Sequence, residues 1–199
     1  MIAAVLLAAG QSRRMGRPKL TLPWGTGGSV ISQVVARFRE AGADPLLVVT
    51  GGDRDEVERA LQGAGAQCLF NPIYRQGGML SSIKVGLRRL VDGDAEAALV
   101  APADLPSLTV ETLRRLLDHR RRSGATLIVP SYEMRRGHPV LIGRGLWQGV
   151  LDLAEGETLR DFLRRQAQQI EYVVVQDPGV IRDVDTPEDY AGAAERNAE

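Results

Sequence analysis

Four cations, Arg13, Arg14, Arg17 and Lys19, fall within seven positions near the start of the chain. They follow an apolar run, Ile2 to Ala9, that ends in small residues, and Gly10 and Gly16 are set beside and among them. Glycine lets a backbone bend tightly and approach a ligand closely. Backbone N–H groups combined with Arg and Lys side chains suit a polyphosphate, above all a triphosphate. A solvated basic loop after a buried strand would share this composition, so the rest of the chain must decide. Two familiar phosphate loops do not fit. A Walker loop needs Gly-Lys-Ser/Thr opening a helix, whereas Gly16 is followed by Arg17-Pro18, and Leu20-Thr21-Leu22-Pro23 is not a helical sequence. Gly10 and Gly16 are also misspaced for the Gly-x-Gly-x-x-Gly dinucleotide fingerprint.

Three carboxylates complement the cations. Asp104 sits just past an apolar run, between Pro102 and Pro106, which stiffen its loop. Asp183 and Asp185 are two apart on a segment that reads as extended, so their side chains point the same way. Acids of this kind facing a cationic loop suit Mg²⁺, which takes one or two protein carboxylates together with phosphate oxygens and water. The alternatives are ordinary: a turn acid at Asp104 and a helix-capping acid at Asp185. His138, in Gly137-His138-Pro139, either orders its turn or hydrogen-bonds a substrate. His119 lies among Arg120, Arg121 and Arg122 near a helix end, where a solvated cation is favoured by the helix dipole. Trp24 reads as packing.

The elements that must position these groups alternate between strand and helix. Ile2 to Ala8 reads as a strand buried on both faces, because its apolar residues do not alternate. Leu20 to Gly28 is irregular. Ser29 to Ala41 is helical and ends at Gly42. Leu46 to Val49 is a strand tipped by Thr50-Gly51-Gly52, and Asp53 caps a helix to Leu61. Ala66 to Phe70 is a strand stopped by Asn71-Pro72. A Gly-rich loop at Gln76 to Gly78 opens a helix to about Val91. Ala97 to Ala101 is a strand leading to Asp104, and Thr109 caps the helix carrying Val110, Leu113, Leu116 and Leu117 on one face. Thr126 to Val129 and Pro139 to Ile142 are short strands around Arg135-Arg136-Gly137-His138. A helix over Thr158 to Arg165, a strand over Glu171 to Val175 and a strand over Val180 to Val184 follow. Thr186 and Pro187 start the last helix.

This order predicts a three-layer, Rossmann-like α/β domain with a mainly parallel, mixed sheet, formed by residues 1–199 as one unit. Ligands in such sheets sit beyond the C-terminal strand ends, so the loops after Ala8, Val49, Phe70, Ala101 and Val184 would converge.

At 199 residues and zero formal net charge, the chain is large enough for a proper core and carries no surface suited to coating nucleic acid. Cys68 is the only cysteine; it excludes an internal disulfide or a cysteine metal cage and reads as a small buried residue. Ile2 to Ala9 is short for a signal core and lacks a basic segment before it. No run approaches a membrane span. A cytoplasmic, unanchored protein is expected.

In order along the chain, these motifs resemble the MobA-like nucleotidyltransferases. The Leu-Ala-Ala-Gly-x-Ser-x-Arg-Met-Gly-x-x-Lys signature is matched by Leu7 to Lys19. Leu22-Pro23-Trp24, Asn71-Pro72-x-Tyr74-x-Gln76-Gly77 with Ser82 and Lys84, Asp104-Leu105-Pro106, Gly137-His138-Pro139 and Asp183-Val184-Asp185-Thr186-Pro187 follow. The likeness is greatest to the branch that acts with CTP on molybdenum cofactor. It implies a GT-A-type fold and transfer of CMP to the terminal phosphate of molybdopterin with release of pyrophosphate.

The same resemblance implies a site. The nucleotide side would comprise Leu7, Ala8, Ala9, Gly10, Arg14, Lys19, Thr50, Gly51, Gly77 and Ser82, with Arg14 and Lys19 on phosphates. Asp104 would bind Mg²⁺, completed by Asp183 or Asp185. Ser81, Lys84, His138 and the Gly156 to Arg160 segment fall to the acceptor side. Guanylyl-transferring relatives carry Gly-Gly where this chain has Ala9-Gly10, and Asn-x-Asn where it has Asp183 and Asp185; both differences lean toward CTP. A molybdenum hydroxylase is the implied recipient. Another phosphorylated acceptor such as a sugar phosphate, a non-catalytic cofactor carrier, and the family's outlying reductase of a coloured heteroaromatic are the alternatives, the last without a dinucleotide fingerprint here.

Overall fold

The computed structural model describes residues 1–198 apart from Gln11, Arg13 and Arg14, with side chains described as far as Glu195. In chain order the elements are β1 (Ile2–Ala8), β2 (Pro23–Trp24), β3 (Gly28–Ser29), α1 (Val30–Ala41), β4 (Leu46–Thr50), α2 (Arg54–Ala60), β5 (Gln67–Phe70), α3 (Gly78–Val91), β6 (Ala97–Pro102), α4 (Val110–Ser123), β7 (Leu127–Tyr132), β8 (Arg135–Arg136), β9 (Val140–Gly143), α5 (Trp147–Leu151), α6 (Leu159–Arg165), β10 (Ile170–Val174) and α7 (Pro187–Ala198). The sheet order is β10-β7-β9-β6-β1-β4-β5, with β8 hooked onto β7. β1 lies at its centre, parallel to β4 on one side and β6 on the other. β4 and β5 are parallel, as are β7 and β10. β9 runs antiparallel to both β6 and β7, which makes the sheet mixed.

The non-alternating apolar run of β1 is explained by cover on both faces. Ala4, Leu6 and Ala8 join the core beneath α1, α2 and α4, including Val34, Phe38, Val57 and Leu116. Ala3 and Val5 join the opposite core, with Ile83 and Leu87 of α3, Trp147 of α5 and Phe162 of α6. This is the expected three-layer arrangement. Gly86 of α3 is required by close approach: a Cβ there would lie 2.3 Å from Val5 Cγ1.

The helix starts follow local chemistry. Ser29 and Ser32 form a reciprocal capping box on α1, and Gly42 ends it with φ of 95°. Thr109 Oγ1 accepts from Thr112 N at α4, and Thr186 and Asp189 cap α7 reciprocally. Among the described residues, no helix is long and apolar enough to cross a membrane.

Four expectations change. Val180 to Val184 is not a strand but a 3-10 turn over Pro178–Val180 followed by irregular chain. Its amides are used locally or by a loop rather than by the sheet: Val184 N donates to Asp104 O at 3.0 Å. Asp53 stands at the start of α2 but makes no side-chain capping bond. Within the irregular stretch after Lys19, β2 and β3 form a small antiparallel pair. Cys68 is half-buried rather than buried, because β5 is an edge strand.

Gly86→Ala removes a helix-interior glycine, worth about 1 kcal/mol in its favour, but forces overpacking against Val5 that costs about 1–3 kcal/mol. Urea unfolding should register a net loss of stability in the native background. In a Val5→Ala background, where the obstructing methyls are gone, the same change should stabilise.

Candidate active site

Four parallel strands deliver their C-terminal ends to one edge of the sheet: β1, β6, β4 and β5. The tips of β1 and β4 are pressed together. A Cβ on Gly51 would lie 2.7 Å from the Ala9 carbonyl oxygen, so only glycine lets the two loops pass. Thr50 is fully buried, and its hydroxyl donates to the Leu69 carbonyl at 3.3 Å. Leu7 and Ala8 are the last rungs of β1, opposite Val49 and Thr50. Gly10 faces open space.

Ser12 organises the loop between β1 and Lys19. Its backbone carbonyl accepts from Met15 N at 3.0 Å. Its hydroxyl accepts from Lys19 N at 3.1 Å and donates to Asp53 Oδ2 at 3.4 Å. Asp53 therefore holds the basic loop instead of capping its own helix. Burial raises its carboxyl above the ordinary aspartate range, and the Ser12 hydrogen bond opposes that rise. Arg14, expected at the phosphates, lies outside the described residues.

The loop directs Lys19 onto the acids. Its ammonium donates to Asp104 Oδ2 at 2.5 Å and to Asp185 Oδ1 at 2.6 Å. Burial alone would lower the Lys19 pKa; Asp104 and Asp185 more than offset it and hold the ammonium above its ordinary value. Asp104 lies just beyond the β1–β6 ladder, which Ala103 N extends by donating to Leu7 O at 3.1 Å. Burial pushes its carboxyl up, Lys19 opposes, and Asp183 adds to the rise.

The hydrogen bond from Val184 N to Asp104 O brings Asp183 and Asp185 alongside Asp104. One oxygen from each of the three carboxylates lies within 4.8 Å of the others. Asp104 is only 9% exposed, and its Oδ1 has no hydrogen-bond partner among the described residues. An orphaned buried carboxylate oxygen within an all-oxygen donor set fits a hard divalent cation.

A groove of about 1560 Å³ is linked to this cluster through His138, which lines it and feels the charge of Asp183. Its walls are the loop and first turns of α3, the Met134–His138 hairpin, and the segment from Ala154 to Arg164. Ser81, Lys84, His138 and the Gly156 to Arg160 segment, assigned by resemblance to the acceptor side, line it together, and Gly77, assigned to the nucleotide side, lines it too. Arg88, Arg136 and Arg164 add cations to its walls. His138 occupies the groove end nearest the acids. Burial pulls its imidazole pKa down, against the pull of Asp183 and of the Val100 carbonyl. Its Nδ1 has no hydrogen-bond partner among the described residues.

Ser82 stands apart from this lining. It is 2% exposed and takes a hydrogen bond from Asn71 Nδ2 at 3.0 Å. The same amide donates to Ser81 Oγ at 2.8 Å, and Asn71 Oδ1 accepts from Ile73 N at 3.1 Å. A fully buried Asn71 thus fastens the start of α3, and the groove wall, to the end of β5. From sequence it reads as a strand stop and as part of the Asn71-Pro72-x-Tyr74 motif, with no anchoring role assigned to it. Lys84 donates to the Leu153 carbonyl at 2.5 Å and so ties α3 to the opposite wall.

A mainly parallel sheet that gathers cations and carboxylates at one edge defines an α/β enzyme of the nucleotidyltransferase type. The sequence profile of the MobA-like NTP transferase domain matches residues 4–170, and the chain belongs to that family. It is 28% identical to the molybdenum cofactor cytidylyltransferase of Escherichia coli K12, with 100% of this chain and 98% of that protein covered. It is 31% identical to the nicotine blue oxidoreductase of Paenarthrobacter nicotinovorans, covering 94% and 93%. The structure of Rv0371c from Mycobacterium tuberculosis H37Rv in complex with manganese is similar at a TM-score of 0.80 and 27% identity, covering 98% of each chain.

Because Asp53 acts on the basic loop through Ser12, Asp53→Ala should raise KM for the nucleotide about tenfold with little change in kcat, the size of one hydrogen bond to a charged group. Asp53→Asn, which keeps an acceptor, should restore most of the loss. Ser12→Ala and Asp53→Ala should not add in a double-mutant cycle. Additive effects would show that the two residues act separately.

Proposed function

We propose that this protein transfers CMP from CTP to the terminal phosphate of molybdenum cofactor, releasing pyrophosphate, with Mg²⁺ as its metal. The observation that carries the reading is the meeting of Lys19, Asp104, Asp183 and Asp185 at the sheet edge, linked through His138 to a cation-lined groove of about 1560 Å³. The E. coli relative named for this activity, similar over its whole length, supports the acceptor. The manganese complex of Rv0371c supports a divalent cation. Ala9 in place of a second glycine, and aspartates rather than asparagines at 183 and 185, favour CTP over GTP. We place the protein in the cytoplasm and its product with a molybdenum hydroxylase.

In the transfer, an oxygen of the acceptor phosphate bonds to the α-phosphorus of CTP. The bond from that phosphorus to the α–β bridging oxygen breaks, and the electron pair leaves with pyrophosphate. The attacking phosphate is already ionised at neutral pH, so no general base is needed. Repulsion between two anions is the difficulty instead. Lys19 would lower it by pairing with the triphosphate, and the tightly apposed Ala9 and Gly51 tips would seat the base. Asp104, Asp183 and Asp185 would hold Mg²⁺, which when bound supplies further charge neutralisation at the phosphates. Lys84, Arg88 and Arg136 would meet the acceptor's charge from the groove walls. His138, kept neutral by burial and with its N–H on the Val100 carbonyl, can accept one hydrogen bond at Nδ1 at the junction.

Incubation with Mg²⁺, molybdenum-loaded cofactor and either CTP or GTP tests the reading. Cytidylylated cofactor and stoichiometric pyrophosphate are expected, with CTP preferred. No pyrophosphate with any nucleotide would sink it. Asp104→Ala should cut turnover by about a hundredfold or more. One observation favours a second reading: the 31% identity to an oxidoreductase. Nicotinamide-dependent loss of absorbance from a coloured heteroaromatic, without pyrophosphate formation, would establish that reading in place of the first.

A further inference from the structure

Lys19 and Lys84 are the only lysines among 25 basic residues. Everywhere else the chain uses arginine, a planar fork suited to bidentate pairing. Lysine offers a compact point charge on a flexible stem. At Lys19 that compact charge sits where a metal ion would compete with it. The ammonium lies 2.5 Å from Asp104 and 2.6 Å from Asp185, two of the three carboxylates whose oxygens cluster within 4.8 Å. The Lys19 and Asp104 side chains are only 12% and 13% exposed, so solvent screens the pair weakly.

We infer that Lys19 is a resident cation of the carboxylate cluster, and that the cluster takes a divalent metal tightly only when a triphosphate has drawn Lys19 away. This inference rests on the nucleotidyl-transfer reading and adds an order of binding to it. The argument is one of charge. Two carboxylates satisfied by an ammonium gain little from a divalent ion unless the ammonium moves, and an ammonium removed from buried carboxylates needs another anion. A triphosphate supplies that anion. The Ser12 hydroxyl fixes the Lys19 backbone at 3.1 Å, so that a triphosphate at the sheet edge need exchange only the ammonium's bonds to Asp104 and Asp185. The Asp104 Oδ1 atom, buried and without a partner among the described residues, is the ligand that the ammonium leaves unused. Metal and triphosphate are then coupled through one side chain, and by linkage each tightens the other by the same factor.

The test needs neither acceptor nor turnover. Protein-bound Mn²⁺ is measured by equilibrium dialysis at neutral pH, with and without inorganic tripolyphosphate, against protein-free controls that account for the Mn²⁺–tripolyphosphate complex. Native protein and Lys19→Met are compared, with circular dichroism to check folding. Lys19→Met should bind Mn²⁺ alone about tenfold more tightly than the native chain, the equivalent of one charge-assisted bond. Tripolyphosphate should tighten Mn²⁺ binding more in the native chain than in the variant. A folded Lys19→Met that binds Mn²⁺ no better than native, or equal enhancement in both, overturns the inference.

A second measurement uses native protein alone. Lysine-selective labelling gives two side-chain ammonium signals, assigned with Lys84→Arg. Metal-free tripolyphosphate should shift the Lys19 signal, and an unmoved signal also overturns the inference. Failure of cofactor cytidylylation would sink the proposed function while leaving these binding results intact.

Discussion

The contact between the Lys19 ammonium and the carboxylates of Asp104 and Asp185 is the constraint on which the arrangement depends. It joins three distant parts of the chain: the basic loop after β1, the loop after β6, and the segment before α7. Lys19 opens a single 3-10 turn, and neither Asp104 nor Asp185 lies in a regular element. Breaking a buried ion pair by removing one partner costs about 3–5 kcal/mol, because a charge is left behind uncompensated. The fold therefore has a strong reason to keep these loops together. The backbone bond from Val184 to Asp104 and the ladder extension from Ala103 to Leu7 work in the same direction without charge.

Around that contact the molecule divides into a stiff half and an adaptable half. The half that carries Lys19 and the β1 and β4 tips is made of strand ends. β1 is covered on both faces, its end lies against Gly51, and Ser12 is held by Asp53. The groove half is made of a helix start, a hairpin and a loop followed by a short helix. Those parts are linked by Asn71, by Lys84 to Leu153, and by little regular sheet. Chemistry that needs atoms in line is served by the first kind of construction. Recognition of differently shaped acceptors is served by the second, since loops tolerate change that strands do not.

Much of this was legible in the sequence where a periodic or punctuated pattern carries a single physical meaning. The unbroken apolar run of β1 could only be a strand covered twice, and Ser29, Thr109 and Thr186 each announced a helix start. Lys19, Asp104, Asp183 and Asp185 could be named as candidates from opposite charges at the ends of apolar runs, and the structure brings them together. What could not be read was how side chains choose between competing partners. Asp53 has the place and type of a helix cap yet serves Ser12 across 41 positions. Val180 to Val184 has strand composition, but its Val184 amide bonds to a loop carbonyl rather than to a strand, so it supplies two acids without joining the sheet. Asn71 looked like punctuation and is instead a buried anchor. Each case turns on a contact between residues far apart in the chain, which local composition does not encode.

The distribution of lysine and arginine connects these points. Arginine cations line the groove at 88, 136, 160 and 164, where a planar fork can grip an anion of varied shape. The two lysines stand where one end of a side chain must be held by carboxylate or carbonyl oxygens: Lys19 on Asp104 and Asp185, Lys84 on Leu153. An ammonium can release one set of oxygens for another without the geometric match a guanidinium requires. A guanidinium bound bidentately to Asp104 would fix the cluster in its metal-free state. Lysine at position 19 pairs two of the three acids while keeping the rotational freedom of an ammonium.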